Sequence, residues 1–139
     1  MKHRSRLALA AAVAALAAMT VAGVGAQTAT NPSDPSETNF RVATTRDLVQ
    51  LCEATPNDPT GIAALHFCHG FAVGAYQYHQ IVAAAEKKPP LFCEPNPRPT
   101  RNAIIADFVS WANQNPKAMD TPPVEGMFRY LAQRYPCRG

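Results

Sequence analysis

The stretch Cys68-His69-Gly70-Phe71-Ala72-Val73-Gly74-Ala75-Tyr76 lies in the middle of the longest helical pattern in the chain, which runs from Gly61 to Glu86. A glycine inside a helix costs about 1 kcal/mol relative to alanine, so this pair costs about 2 kcal/mol unless a contact offsets it. Glycines four residues apart share one helix face and allow another backbone to come close. We therefore predict that Gly70 and Gly74 pack against a second helix, either of this chain or of a partner chain.

The N-terminus has the features of an export signal. Three basic residues precede an apolar, alanine-rich run from Leu7 to Val24, and small residues follow at the positions that a signal peptidase reads. We predict that residues 1–26 are a signal peptide cleaved near Ala26. The alternative is a retained membrane anchor, because the apolar run is close to the length that spans a bilayer. No later stretch is apolar enough to span a membrane, so we expect no membrane association after cleavage.

Cleavage also changes the charge of the protein. The full chain carries a formal charge of +3, and the signal peptide contains three of its 13 basic residues and no acidic one. The mature chain therefore has ten basic and ten acidic residues and is formally neutral. A neutral chain gives no reason to expect a nucleic acid partner. We interpret residues 27–39, which are rich in Thr, Ser, Asn and Pro, as a flexible leader to a folded domain over residues 40–139.

The folded part is predicted to be all-α, a small bundle of about four helices. Each helix begins at a recognisable start signal: Thr44 with Asp47 in a capping-box arrangement, Asp58-Pro59, Thr100, and Thr121-Pro122. Proline-rich breaks separate the helices, and no strand alternation or internal repeat is present. The apolar stripes of the second and fourth helices include Ile62 and Val124. Tyr78 and Tyr130 fall off these stripes and are candidate interface anchors.

Four cysteines in an exported chain of this size indicate two disulfides. Three pairings are open from the sequence alone, and the helix order favours one of them. Antiparallel third and fourth helices place Cys137 beside Cys93, and an antiparallel first helix pair places Cys52 beside Cys68. We therefore predict the bridges Cys52–Cys68 and Cys93–Cys137.

Residues that often carry chemistry are present, but they do not form a recognisable site. His66 and His69 lie one helical turn apart and are candidates for a shared metal, but no third ligand accompanies them, and His79 is about 15 Å further along the helix. No nucleophile motif surrounds Ser110, and Asp107 and Glu125 lack a partner pattern. We therefore predict no catalytic residue, no metal site and no cofactor, and expect that the protein is not an enzyme.

Five short motifs occur in an order that resembles the Rap/Tai immunity proteins, which neutralise peptidoglycan amidase effectors of type VI secretion. The resemblance extends over most of the mature chain. The motifs are Leu51-Cys52, Cys68-His69-Gly70-Phe71 with Gly74, Phe92-Cys93-Glu94-Pro95, Asn115-Pro116 and Tyr135-Pro136-Cys137.

This resemblance implies a small periplasmic helical protein, often a homodimer, that inhibits an amidase by occluding its catalytic cleft. The matching residues are bridges, glycines and helix ends, so the resemblance does not identify the contact surface. The first candidate for that surface is the segment Lys87 to Arg98, because Cys93 fixes it to the domain. Two other hypotheses remain open: a periplasmic stress chaperone of the Hde type, which unfolds in acid, and an orphan helical binding protein.

Overall fold

The computed structural model describes residues 34–137, which form four α-helices. These are α1 (Thr45–Glu53), α2 (Pro59–Glu86), α3 (Arg101–Gln114) and α4 (Pro123–Arg134). Short 3-10 helices precede α1 and α4, and no strand occurs within the described residues. The prediction of an all-α bundle of four helices is thus confirmed. Among the described residues, no helix combines the length and the apolarity needed to cross a bilayer. The predicted signal peptide lies outside them.

Three of the four helix starts are capped as the sequence predicts, whereas α4 begins at Pro123 without a side-chain cap from Thr121. Thr44 and Asp47 form a complete capping box, in which the Asp47 amide donates to the Thr44 hydroxyl and the Asp47 carboxylate accepts from the Thr44 amide. Asp58 and Thr100 each accept a hydrogen bond from a backbone amide in the first turn of their helix. At the other end of α2, Lys87 takes a left-handed conformation with φ of 52°, which ends the helix.

The shortest helix, α1, lies at the centre of the fold and packs against all three others. Four of its nine residues are buried, namely Thr45, Leu48, Val49 and Leu51. The main apolar core joins α1 to buried residues of α3 and α4, among them Phe108, Met127 and Tyr130. α2 packs closely on α1, mainly through Ala64 and Cys68, whereas few of its backbone positions come close to α3 and α4. Side chains of α2 such as Phe71 and Tyr76 nevertheless pack against the main core. The length of α2 therefore leaves much of its surface outside the core.

Two glycines allow close approach inside the domain. A Cβ atom on Gly126 of α4 would collide with the Thr45 side chain, and one on Gly61 of α2 would collide with the Thr55 carbonyl oxygen. Thr45 is fully buried at this contact, and its hydroxyl donates to the Thr121 carbonyl at 3.0 Å. Gly126 therefore lets the start of α4 lie directly on the start of α1.

Both predicted disulfides are present. Cys52 and Cys68 join α1 to α2 with a Cα–Cα distance of 5.2 Å, and Cys93 and Cys137 join the α2–α3 connection to the end of the chain at 4.8 Å. The bridges close sequence separations of 16 and 44 residues. In the chain-entropy model, bridges of these spans stabilise a fold by about 3 and about 4 kcal/mol.

The sequence analysis predicted the wrong burial for three residues. Tyr130, an expected interface anchor, is only 1% exposed and packs between Phe108 and Trp111. Ile62 and Val124, expected in the core, are exposed. In α2 and α4 the buried face includes a glycine, Gly61 or Gly126, at which the backbone comes close to its neighbour.

The hydrogen-bonded part of the domain begins before Phe40. The Ser36 amide donates to the Asn39 side chain at 2.8 Å, and the Asn39 amide group donates in turn to Asp47 at 3.1 Å and to Gln50. Asn39 is buried by these contacts. Residues 36–39 therefore join the domain through α1, although the sequence analysis assigned them to the leader.

Candidate functional site

The glycine face of α2 is open. A Cβ atom on Gly70 or on Gly74 would meet nothing within 4 Å, and both residues are exposed. The expectation that another helix of this chain crosses them is wrong for the described residues, since α1 packs on the opposite side, at Ala64 and Cys68. The alternative, that a helix of a partner chain crosses this face, stays a prediction.

Beyond the glycines, α2 contributes to an apolar groove that we call the Leu91 groove. It lies between the second half of α2 and the first half of α4 and has a volume of about 740 Å³. Its residues are mostly apolar and include Ala75, Tyr78, Val82, Leu91, Val124 and Phe128. Tyr78 is 70% exposed and Leu91 is 59% exposed. The groove is thus an exposed concavity with a mainly apolar lining.

The segment Lys87 to Arg98 borders the groove and is fixed at its centre. Cys93 is bridged to Cys137, and its amide donates to the Tyr135 carbonyl at 2.8 Å. One residue earlier, Phe92 is buried and contacts Tyr76 and Phe128. Leu91 is therefore presented to solvent on a segment whose next two residues are anchored, so that binding through it loses little conformational entropy.

The three histidines of α2 do not meet. His79 lies against the rings of Phe128 and Phe92, at centroid distances of 4.8 and 5.9 Å, under the edge of the Leu91 groove. His66 is exposed and His69 half-buried, one turn apart. Among residues 34–137, no three side chains of the His, Cys, Asp and Glu types converge as metal ligands would.

Asp107, one of the acidic residues that the sequence analysis considered for catalysis, forms hydrogen bonds that join α3 to α4. Asp107 accepts from Arg134 Nε at 2.8 Å and from the Tyr130 hydroxyl at 3.0 Å. The hydrogen bond from Arg134, followed by that from Tyr130, lowers the pKa of the Asp107 carboxyl although partial burial opposes it. Burial and the bond to Asp107 raise the pKa of Tyr130. At neutral pH Asp107 is therefore a carboxylate and Tyr130 keeps its hydroxyl proton. The cluster joins α3 to α4, and neither group is set to transfer a proton at neutral pH.

Glu125 and Ser110 are likewise engaged on the helix surfaces. Glu125 forms an ion pair with Arg129 one turn along α4. The Ser110 hydroxyl accepts from the Gln114 amide at 3.1 Å. Neither contact pairs a nucleophile with a base. The described residues therefore present an apolar surface to other molecules, on a helical scaffold that two disulfides hold together.

The family model described as Rap1a immunity proteins matches residues 44–137. The chain belongs to the Rap1a immunity protein family. The matched segment starts at the N-cap of α1 and ends at Cys137, so it contains all four helices and both bridges of the Rap1a domain. No curated protein and no solved structure shows significant similarity to this Rap1a chain. Membership of the Rap1a family indicates that the protein binds a secreted effector, and both the family and the disulfides fit an exported protein.

Sequence reasoning found the scaffold of this Rap1a domain and missed most of its exposed apolar surface. Tyr78 and the Lys87–Arg98 segment, which contains Leu91, were the parts of the groove expected at an interface, and both Tyr78 and Leu91 are exposed. Val124 was assigned to the core and Leu91 received no role of its own. Helical spacing gave no signal that Val124 is exposed.

Proposed function

We propose that the protein is an exported immunity protein that neutralises a cell-wall amidase effector in the periplasm by occluding its catalytic cleft. The observation that carries the proposal is the Rap1a family match over residues 44–137. The amidase target and the type VI route come from the resemblance of the five motifs. Inhibition by occlusion needs no catalytic residue on this chain, only a rigid surface that fits the effector.

The Leu91 groove and the adjoining Lys87–Arg98 segment are the surface that we assign to the effector. Large exposed apolar residues on a rigid support are the usual anchors of a protein interface, where truncating one costs about 2 kcal/mol or more. Tyr78 and Leu91 have this exposure, and the bridge at Cys93 supplies the support.

The test is a titration of a candidate amidase, encoded next to this protein, with wild type and with two variants. Leu91→Asp removes an anchor from the proposed surface and is expected to weaken inhibition at least thirtyfold, the equivalent of about 2 kcal/mol. Ile62→Asp is the matched control, because Ile62 is also an exposed aliphatic residue but lies at the other end of α2, outside the groove.

Wild-type protein is expected to abolish activity at one chain per enzyme, and Ile62→Asp to behave alike. Equal weakening by both variants would contradict the assigned surface. Inactivation of many enzyme molecules by one chain would contradict occlusion itself, because it requires turnover by this protein.

We further propose that two copies associate through the glycine face of α2. The open backbone at Gly70 and Gly74, flanked by the exposed side chains of Phe67 and Ile81, supports a close helix crossing between copies. In sedimentation experiments Gly70→Leu is expected to convert a dimer to a monomer without lowering the melting temperature at low protein concentration. A wild-type protein that sediments as a monomer at all concentrations would contradict the proposal.

A further inference from the structure

A second concavity lies inside the bundle, separate from the Leu91 groove. It has a volume of about 400 Å³, and all four helices and the α2–α3 connection contribute to its wall. It lies where the backbone of α2, which is packed closely on α1, stays apart from α3 and α4. Natural cores contain few voids much larger than a water molecule, whereas small-molecule sites commonly measure about 300–1,000 Å³.

The floor of this cavity is apolar. It is formed by buried core residues from three helices, namely Leu48, Ile105, Phe108, Met127, Tyr130 and Leu131. The hydroxyl of Tyr130 is engaged with Asp107, and no buried side-chain nitrogen or oxygen among the described residues lacks a hydrogen-bond partner. The floor therefore offers a ligand apolar contact and no polar recognition.

The entrance has the opposite character. Gln77 and Gln80 of α2 face the connection residues Glu94 and Arg98, with Arg101 at the start of α3. Arg98 forms an ion pair with Glu94, while Arg101 has no ion-pair partner within residues 34–137. The rim thus carries one net positive charge from these residues, and that charge favours an anionic group at the entrance.

The cavity is also long. Its α2 wall extends from Cys68 to Gln80, about 18 Å along the helix axis, whereas a sphere of 400 Å³ would be about 9 Å across. A long apolar channel with a cation at its mouth matches an extended hydrocarbon chain that ends in an anion. A compact aromatic ligand would leave part of such a channel empty.

We propose that this cavity binds one single-chain aliphatic carboxylate, with its hydrocarbon between the helices and its carboxylate at Arg101. The ligand fills the space that α2 leaves above α3 and α4, and so stabilises the domain. The cavity shares no lining residue with the Leu91 groove, although Glu94 and Arg98 at its rim belong to the Lys87–Arg98 segment.

The test is calorimetric titration of the purified, disulfide-bonded protein with sodium dodecanoate below its micelle concentration. Dodecyltrimethylammonium is the matched probe, with the same chain and the opposite charge. We expect one dodecanoate per chain, bound at least tenfold more tightly than the cation. Arg101→Gln is expected to lower the affinity for dodecanoate about fivefold, which is the effect of losing a partly exposed charge contact. Its affinity for the cationic probe is expected to stay the same or to rise. Arg46→Gln, an exposed arginine remote from the cavity and paired with Asp120, is expected to change neither.

Ala72→Leu tests the channel itself, because Ala72 lies on its wall and a larger side chain there occupies its volume. This variant is expected to lose dodecanoate binding while its circular dichroism and melting temperature stay at or above those of wild type. Absence of binding to wild type would overturn the proposal, as would equal affinity for the two probes. Binding that survives in a folded Ala72→Leu variant would overturn it as well. If Ala72→Leu fails to fold, the Arg101→Gln comparison alone decides, since that change leaves the packing intact.

Discussion

The two sides of α2 use glycine in opposite ways. On the packed side, Gly61 lies against the Thr55 carbonyl, and a short distance along the helix Cys68 is bridged to α1. On the outer side, Gly70 and Gly74 have no neighbour within 4 Å of where a Cβ atom would stand. Gly126 of α4 resembles Gly61, because the missing Cβ atom leaves room for the Thr45 side chain. A glycine pair at helical spacing thus indicates a helix face that another backbone could approach closely. Only the tertiary structure shows whether a backbone does so.

The largest expected effect comes from breaking the bridge on the packed side. Cys52→Ala/Cys68→Ala is expected to lower the free energy of unfolding by about 3 kcal/mol, because a 16-residue span is released in the unfolded chain. Urea unfolding followed by circular dichroism measures it. Ser110→Ala, on the exposed surface of α3, is the control and is expected to change stability by less than about 0.5 kcal/mol. A loss below about 1 kcal/mol in the double variant would mean that packing holds α2 to α1 without the bridge.

Gly126→Ala is expected to lower the free energy of unfolding by about 2 kcal/mol. The added Cβ atom would collide with the buried Thr45 side chain, and overpacking of this kind costs about 1–3 kcal/mol. Alanine is the better helix former by about 1 kcal/mol, so propensity alone predicts the opposite sign. Thermal and urea unfolding measure the change. A more stable Gly126→Ala variant would show that α1 and α4 separate easily at this contact.

Gly70→Ala makes the same substitution on the outer side and is expected to raise the free energy of unfolding by about 1 kcal/mol, since nothing opposes the helix propensity. Unfolding should be measured at low protein concentration, where any association of copies contributes least. A destabilised monomer would indicate a contact at this face within the chain itself and would remove the contrast with Gly126.

The smallest expected effect is a loss of stability in acid, which we attribute to Asp47 and Asp107. Hydrogen bonds lower the pKa of Asp107, chiefly from Arg134. At Asp47, burial acts in the opposite direction, but bonds from the Thr44 amide and hydroxyl and from Asn39 lower the pKa on balance. A carboxyl whose pKa is lower in the folded state contributes stability that is present above its unfolded pKa, near 3.8, and is lost as pH falls through its folded pKa.

Unfolding free energies at pH 6 and pH 3 measure this dependence, and Asp47→Asn/Asp107→Asn is expected to flatten it. An unchanged slope in the double variant would assign the acid dependence to other groups. Loss of helix at pH 3 together with a gain of holdase activity would favour the Hde-type chaperone hypothesis over the immunity function.

The candidate surface was predictable only in part. The Lys87–Arg98 segment followed from its prolines and from Cys93, since a bridge in an irregular connection fixes the side chains around it. The groove itself did not follow, because Val124 looked like a core residue on helical spacing. Its exposure depends on where α4 crosses α1, which Gly126 and Thr45 decide.

The sequence by itself determined the four helices and their capped starts at Thr44, Asp58 and Thr100, and it favoured the cysteine pairing that the structure shows. These features depend on residues near each other in the chain or on the order of antiparallel helices, so local rules suffice. The tertiary structure alone decided which face of each helix is buried. That choice depends on how closely two backbones approach, and the smallest side chains set that distance. Tyr130 is therefore in the core, whereas Gly70 and Gly74 face solvent.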